Sequence, residues 1–346
     1  MPADMPAGAF DMASLHFSNP EQPGYRLVKR GSGTVLVSPA GRPVRDRRVE
    51  KRVASLRIPP AWSSVWIAPT PGGHIQAIGY DARGRRQYIY HPEYRAQREA
   101  EKFQRLAGFA LLLPALRRCV EADMDQPGLP RTKVLATVVH LLDRTLIRIG
   151  NRSYADQNGS FGISTLRNRH VAVASSTVRF AFRGKSGREW RVRVEDRRVA
   201  KVIRACQDLP GQHLFQYVDD DRQRRTVTSD DVNAYLRGIC GDEVSAKDFR
   251  TWAGTVLCGV ALSLAPPAES ERQLRRQVAS AMRAVSYRLG NTPAVCRSSY
   301  VHPQIFEAHR TGALHRLARR LQHIPPPEPA LSLAEKAVLR LLKAAR

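Results

Sequence analysis

The sequence predicts an α+β protein: a small β-rich domain over residues 25–92, then a larger, mainly α-helical domain over 93–322 that carries a single β-hairpin. Three observations lead there. Short apolar segments alternate with turns as far as His91, and beyond Pro92 the apolar spacing becomes helical. One later stretch, "HVAVASSTVRFAFRGKSGREWRVRVED", alternates on both sides of a Gly-Lys-Ser-Gly turn.

Residues 1–24 show no periodic pattern and are expected to be a disordered lead-in; they also lack the basic start and apolar core of a secretory signal. In the first domain "TVLVSP" and "SVWIAPTPGG" read as strands, and "HIQAIGYD" and "RQYIYH" around "ARGR" read as a hairpin. Helical spacing then runs through "EYRAQREAEKFQRLAGFALLLPALRRCVEADM" and "RTKVLATVVHLLDRTLIRIG". After the Gly-Lys-Ser-Gly hairpin it returns in "DRRVAKVIRACQDL", "TSDDVNAYLRGIC", "SAKDFRTWAGTVLCGVALSL" and "ERQLRRQVASAMRAVSYRLG". Residues 323–346 comprise a Pro-rich linker, "HIPPPEPA", and a last helix opened by Ser332 and Glu335 in capping-box spacing.

The charge balance narrows the function classes. Lys and Arg number 56 against 31 acids, a net charge of +25 on 346 residues. Such an excess repels itself in a compact fold, so an anionic polymer, nucleic acid above all, is the expected partner. Five scattered cysteines, Cys119, Cys206, Cys240, Cys258 and Cys296, form no metal-binding spacing and read as reduced thiols. The longest apolar runs, "FALLLPAL" and "VLCGVALSLAPP", are too short to span a bilayer, so a cytoplasmic protein is expected.

The stretch "RFAFRGKSGREW" invites a nucleotide-binding reading, which fails on two counts. A phosphate-cradling loop needs glycine five residues before the Gly-Lys pair, where this chain has Arg179, and a helix should follow where "REWRVRVED" reads as a strand.

Four motifs together, "LIRIGNRSY", "FRGKSG", "KDFRTWAGT" and "LGNTPAVCRSSYVHP", resemble in order and spacing the type IB DNA topoisomerases, especially the small poxvirus-like bacterial group. The resemblance covers most of residues 25–312. It implies an enzyme that cleaves one strand of duplex DNA through a tyrosine, forms a 3′-phosphotyrosyl bond, lets the free end rotate and religates. Tyr300 is then the nucleophile, Arg148 and Arg250 the catalytic arginines, and Lys185 the hairpin lysine. Asn291 stands where most members carry histidine. The family's groove-reading strand corresponds to "GRRQYIYH", with Gln87, Tyr88 and Tyr90 as DNA contacts; Asn151 and Tyr154 match its major-groove contacts, and Lys247 adds a phosphate contact near Arg250. The arginine-rich tracts 42–57 and 83–105 are expected to wrap phosphates without reading sequence.

Those residue types suit the reaction. In-line attack on a phosphodiester builds negative charge on the non-bridging oxygens, and catalysis is mostly positioning and charge stabilisation. The planar guanidinium holds two oxygens at once and keeps its charge. The departing 5′-oxygen needs a proton, which Lys185 can supply. No general base is evident. Because the broken bond's energy is stored in the tyrosyl ester, no ATP, other cofactor or metal is expected. The implied working form is a monomer that clamps supercoiled duplex DNA on the nucleoid. Two rivals stand beside this reading. A tyrosine recombinase shares the chemistry but usually has His-x-x-Arg where this chain has Lys247-Asp248-Phe249-Arg250, and a non-catalytic basic protein would bind DNA without a covalent adduct. Arg250 paired with Asp248, and Lys185 as a plain solvated turn residue, are the bland alternatives.

Overall fold

The computed structural model describes residues 15–31, 33–219, 221–316 and 328–344. The chain divides into two compact units, 1–102 and 103–346.

The first unit is an antiparallel sheet in the order β2-β1-β3-β4-β5. Its strands are β1 (Tyr25–Arg30), β2 (Gly33–Val37), β3 (Ser63–Ile67), β4 (Ile75–Tyr80) and β5 (Arg86–Tyr90). The hairpin expected around "ARGR" is β4–β5, with Ile78 opposite Tyr88 and Gly79 opposite Gln87. Within the arginine-rich tract 42–57 lies a helix the sequence reading did not anticipate, α1 (Arg47–Ser55), capped by Asp46, whose carboxylate accepts the Arg48 N–H at 2.7 Å. Its apolar positions Val49 and Val53 join Val65, Ile67 and Ala77 in a small core, so arginines alternate with core residues at helical spacing. Of the expected lead-in, residues 1–14 lie outside the described residues. Residues 15–24 are tied to the sheet: Leu15 is buried, His16 bridges Gly73, and the Trp66 indole donates to the Gln22 carbonyl at 3.0 Å.

Helix α2 (Pro92–Met124) begins in the first unit and continues into the second. There follow α3 (Arg131–Thr145), α4 (Arg152–Asn158), β6 (Val171–Ala174), β7 (Thr177–Arg183), β8 (Glu189–Glu195) and α5 (Arg197–Gln207). Next come β9 (Gln216–Val218), β10 (Arg224–Thr226), α6 (Ser229–Cys240), α7 (Ala246–Ser263), α8 (Glu271–Leu289), α9 (Pro293–Ser299), α10 (Pro303–Arg310), α11 (Ala313–Arg316) and α12 (Leu333–Ala344). Two helices form the centre. α3 is buried continuously from Lys133 to Leu142, and α7 buries residues on every face, as its run of Ala, Gly, Thr, Val and Leu permits.

The expected hairpin is the β7–β8 pair of a three-stranded sheet ordered β6-β7-β8. Ser175, at φ 52°, turns the chain between β6 and β7, splitting what reads in sequence as one long strand. The short β9–β10 ribbon carries no clear alternation in its sequence. Helix α12 belongs to the core. Its capping box forms as expected, the Ser332 N–H reaching the Glu335 carboxylate at 2.9 Å and the Glu335 N–H reaching Ser332 Oγ at 3.2 Å. The same carboxylate receives Arg117 at 2.8 Å and the Trp252 indole of α7 at 3.1 Å. The linker as far as residue 327 lies outside the described residues. Among the described residues no helix is long and apolar enough to cross a membrane.

Candidate active site

Helical spacing continues in sequence through Ile149, but α3 stops at Thr145: Leu146 takes a left-handed conformation, φ 58°, and its N–H closes on the Leu142 carbonyl at 3.0 Å. The chain then runs extended beside residues 162–164. The Arg148 carbonyl accepts the Ile163 N–H at 2.8 Å and the Ile149 carbonyl accepts the Ser164 N–H at 2.7 Å. Arg148 therefore sits on a pinned extended segment, and not on the helix that the spacing through Ile149 predicts.

Arg148 and Arg250 meet at the end of α8. That helix closes on Gly290 at φ 63°, leaving its last carbonyls without helical partners. Arg250 Nη2 donates to the Leu289 carbonyl at 2.5 Å and Nη1 to Leu146, while Arg148 Nη2 donates to the Gly290 carbonyl at 2.9 Å and to Asn291 Oδ1. A third guanidinium, Arg188 immediately before β8, holds Tyr287 O at 2.7 Å and Ser286 O at 3.4 Å. The negative end of one helix dipole thus gathers three cations whose mutual repulsion it offsets. Asp248 does not pair with Arg250; its carboxylate accepts the N–H and hydroxyl of Ser245, both at 2.8 Å, capping α7.

Tyr300 lies against the same arginines. α9 starts at its Thr292 cap with Pro293 at the first position, and Tyr300 ends it, its N–H donating to the Cys296 carbonyl at 2.9 Å. The Arg250 guanidinium stands 5.3 Å from the phenol ring centroid, close enough for a cation–π contact. Arg250 is only 3% exposed, and burial lowers it to about 10, so it stays charged at neutral pH. Burial likewise lowers Arg148, against the opposing influence of Tyr300. Burial works to raise the Tyr300 phenol, but Arg250, Arg148 and Lys247 outweigh it, and the phenol ionises more readily than a free tyrosine. Cys296, fully buried beneath these groups, is pushed up by burial and stays a neutral thiol at neutral pH.

The remaining expected residues are placed unevenly. Asn291 is at the centre, its Oδ1 taken by Arg148 and its Nδ2 buried without a partner among the described residues. Lys247, exposed on the first turn of α7, sits one turn before Arg250 and its charge reaches the phenol. Lys185 is exposed at the tip between β7 and β8, and its ammonium makes no hydrogen bond or ion pair with the described residues, Tyr300 included. Asn151 caps α4, its Oδ1 accepting the Tyr154 N–H at 3.3 Å, and Tyr154 is exposed on that helix's first turn. In the first unit Tyr88 and Tyr90 are exposed and stacked at 5.9 Å between centroids, with Arg86 over Tyr88. Gln87 points to the opposite face of β5, as strand alternation requires, and donates to Asp81 at 3.1 Å. Sequence reasoning missed Arg188, whose carbonyl partners lie almost a hundred residues away; the Gly290-Asn291 helix-end signal was the one local hint of the meeting point.

Residues 91–323 match the family described as the eukaryotic DNA topoisomerase I catalytic core, and residues 35–81 match the bacterial DNA topoisomerase IB N-terminal domain. The chain belongs to the type IB DNA topoisomerases. Within that family it stands with the small, poxvirus-like enzymes. It is 32% identical over 267 residues to the DNA topoisomerase 1B of Acanthamoeba polyphaga mimivirus, covering 75% of this chain and 80% of the viral one. Over 237 residues it is 20% identical to the DNA topoisomerase I of monkeypox virus, covering 66% of this chain and 71% of the viral one.

Proposed function

We propose that this topoisomerase acts as a monomer on supercoiled nucleoid DNA, relaxing it without ATP, with Tyr300 as nucleophile. The phenolic oxygen attacks the scissile phosphorus, its proton passing to solvent. The bond from phosphorus to the 5′-oxygen breaks, its electron pair stays on that oxygen, and Lys185 protonates it. A 3′-phosphotyrosyl ester holds one end while the other rotates, and the reverse attack restores the strand and returns the proton. Arg148 and Arg250 hold the non-bridging oxygens, and Asn291 offers its buried Nδ2 as a neutral donor. Tyr88, Tyr90, Asn151, Tyr154 and Lys247 contact the duplex, while Gln87 reaches it only by leaving Asp81.

The observation that carries this reading is the Tyr300 phenol under the Arg250 guanidinium with Arg148 alongside, in a setting that eases phenol ionisation. Supercoiled plasmid incubated with the protein in EDTA without ATP should relax, and detergent should trap a covalent protein–DNA adduct. Tyr300→Phe should do neither. Relaxation by the Phe variant at the wild-type rate would remove Tyr300 from the mechanism.

A further inference from the structure

We propose that Arg188 is a positioning residue that latches the Lys185 hairpin onto the end of α8, placing the leaving-group proton donor in register with the arginines that hold the phosphate. The inference rests on Lys185 as the proton donor.

Arg188 lies three residues beyond Lys185, where the tip rejoins β8, and its N–H closes the turn on the Lys185 carbonyl at 3.5 Å. Its guanidinium crosses to the other side of the site, taking the Tyr287 and Ser286 carbonyls and lying 5.6 Å from the Tyr287 ring centroid. Trp190, two residues on, reinforces the join. A Cβ at Gly184, on the hairpin, would come within 2.8 Å of the Trp190 ring, and one at Gly290, the α8 cap, within 2.6 Å. The indole therefore fills a slot that only two glycines leave open, one on each side of the join. Among the described residues no ion pair holds Arg188; two backbone carbonyls and the Tyr287 ring receive its charge.

The consequence is geometric. Carbonyls of one helical turn, Ser286 to Gly290, orient Arg188, Arg250 and Arg148 together. Two of these guanidiniums hold the phosphate in the proposed mechanism; the third steers a lysine that makes no bond of its own to the described residues. A proton donor at a hairpin tip transfers efficiently only within hydrogen-bond reach of its acceptor. Removing the latch should therefore cost protonation of the 5′-oxygen while leaving phosphate binding intact.

The test uses the full chain and two duplexes, one with an ordinary phosphodiester and one with sulfur replacing the 5′-bridging oxygen, a leaving group that needs no acid. Arg188→Ala should slow single-turnover cleavage of the ordinary duplex about tenfold or more, leave the sulfur duplex within about twofold of wild type, and keep DNA affinity. Combined with Lys185→Ala, it should add no further defect. Arg188→Lys, which keeps the charge but loses the fork, should recover only in part. Equal slowing of both duplexes by Arg188→Ala, or a defect that multiplies with that of Lys185→Ala, would overturn the latch alone. Equal slowing by Lys185→Ala would remove Lys185 as the acid and the latch with it. Thermal unfolding of each variant separates a misfolded protein from a misplaced hairpin, and Trp190→Phe, which keeps an apolar ring in the slot, should show a milder form of the same selective defect.

Discussion

Around Tyr300 three cations lower the phenol against a burial that would raise it, and they contribute in different ways. Arg250 and Arg148 are held in place by backbone carbonyls at the end of α8. Lys247 is exposed and free to act on the phenol through charge alone. A positive neighbour favours phenolate, so removing it raises the Tyr300 pKa and moves the rising limb of cleavage rate against pH to higher pH. For Lys247→Gln the expected displacement is small, because water and salt screen an exposed charge. Should the limb stay put while DNA affinity and its salt dependence fall, Lys247 acts as a phosphate contact only. At this scale the motifs made Tyr300, Arg148, Arg250 and Asn291 legible. The partner of Asn291 was not, because an Asn after a helix-closing Gly looks the same whether or not an arginine from residue 148 arrives to meet it.

Among the elements, α7 carries the most. Its Arg250 face meets the end of α8, and Tyr300 packs directly on its backbone: a Cβ at Gly254 would lie 2.6 Å from the Tyr300 carbonyl, while Thr255 Oγ1 accepts the His302 N–H at 3.1 Å. Gly254→Ala should improve helix propensity by about 1 kcal/mol in isolation, yet the methyl has nowhere to go. The clash wins if Tyr300, the proposed nucleophile, moves: cleavage should fall about 100-fold, the cost of a misplacement near 1 Å, with DNA binding retained. Unchanged cleavage rates would show that the Tyr300 backbone has slack. On the same helix Trp252 bonds Glu335 of α12, next to the buried Arg117–Glu335 and Arg117–Asp143 pairs at 2.8 Å each. Glu335→Ala strips partners from two buried groups and should cost about 3 kcal/mol, read as a lower denaturation midpoint. A midpoint unchanged within error would mean that α12 is only an appendage. The sequence signalled this helix through its capping box but not its burial, since the acid that caps it is also the acid that anchors it.

Over the whole molecule the balance of +25 sets how the protein meets DNA. Binding should be dominated by counterion release, so affinity for an uncleavable duplex is expected to fall about a thousandfold or more between roughly 50 and 200 mM salt. A shallow salt slope would argue that few of the surface arginines reach phosphates. Not all of them are available: in the tract 42–57 a helix alternates arginines with core residues, and Arg52 spends its guanidinium on the carbonyls of Ala68 and Thr70 at 2.6 and 3.0 Å.

By itself the sequence determined the class of fold, the partner chemistry, the family and which side chains to propose for the site, because periodicity, net charge and four ordered motifs are properties of residues along a line. Only the tertiary structure decided where those side chains meet. α3 stops three residues before Arg148 because the chain pairs with residues 162–164, and the last turn of α8 gathers arginines from positions 148, 188 and 250. Carbonyls freed at a helix end attract cations from anywhere in the chain, and which cations arrive is settled by packing, which leaves no local mark in the sequence.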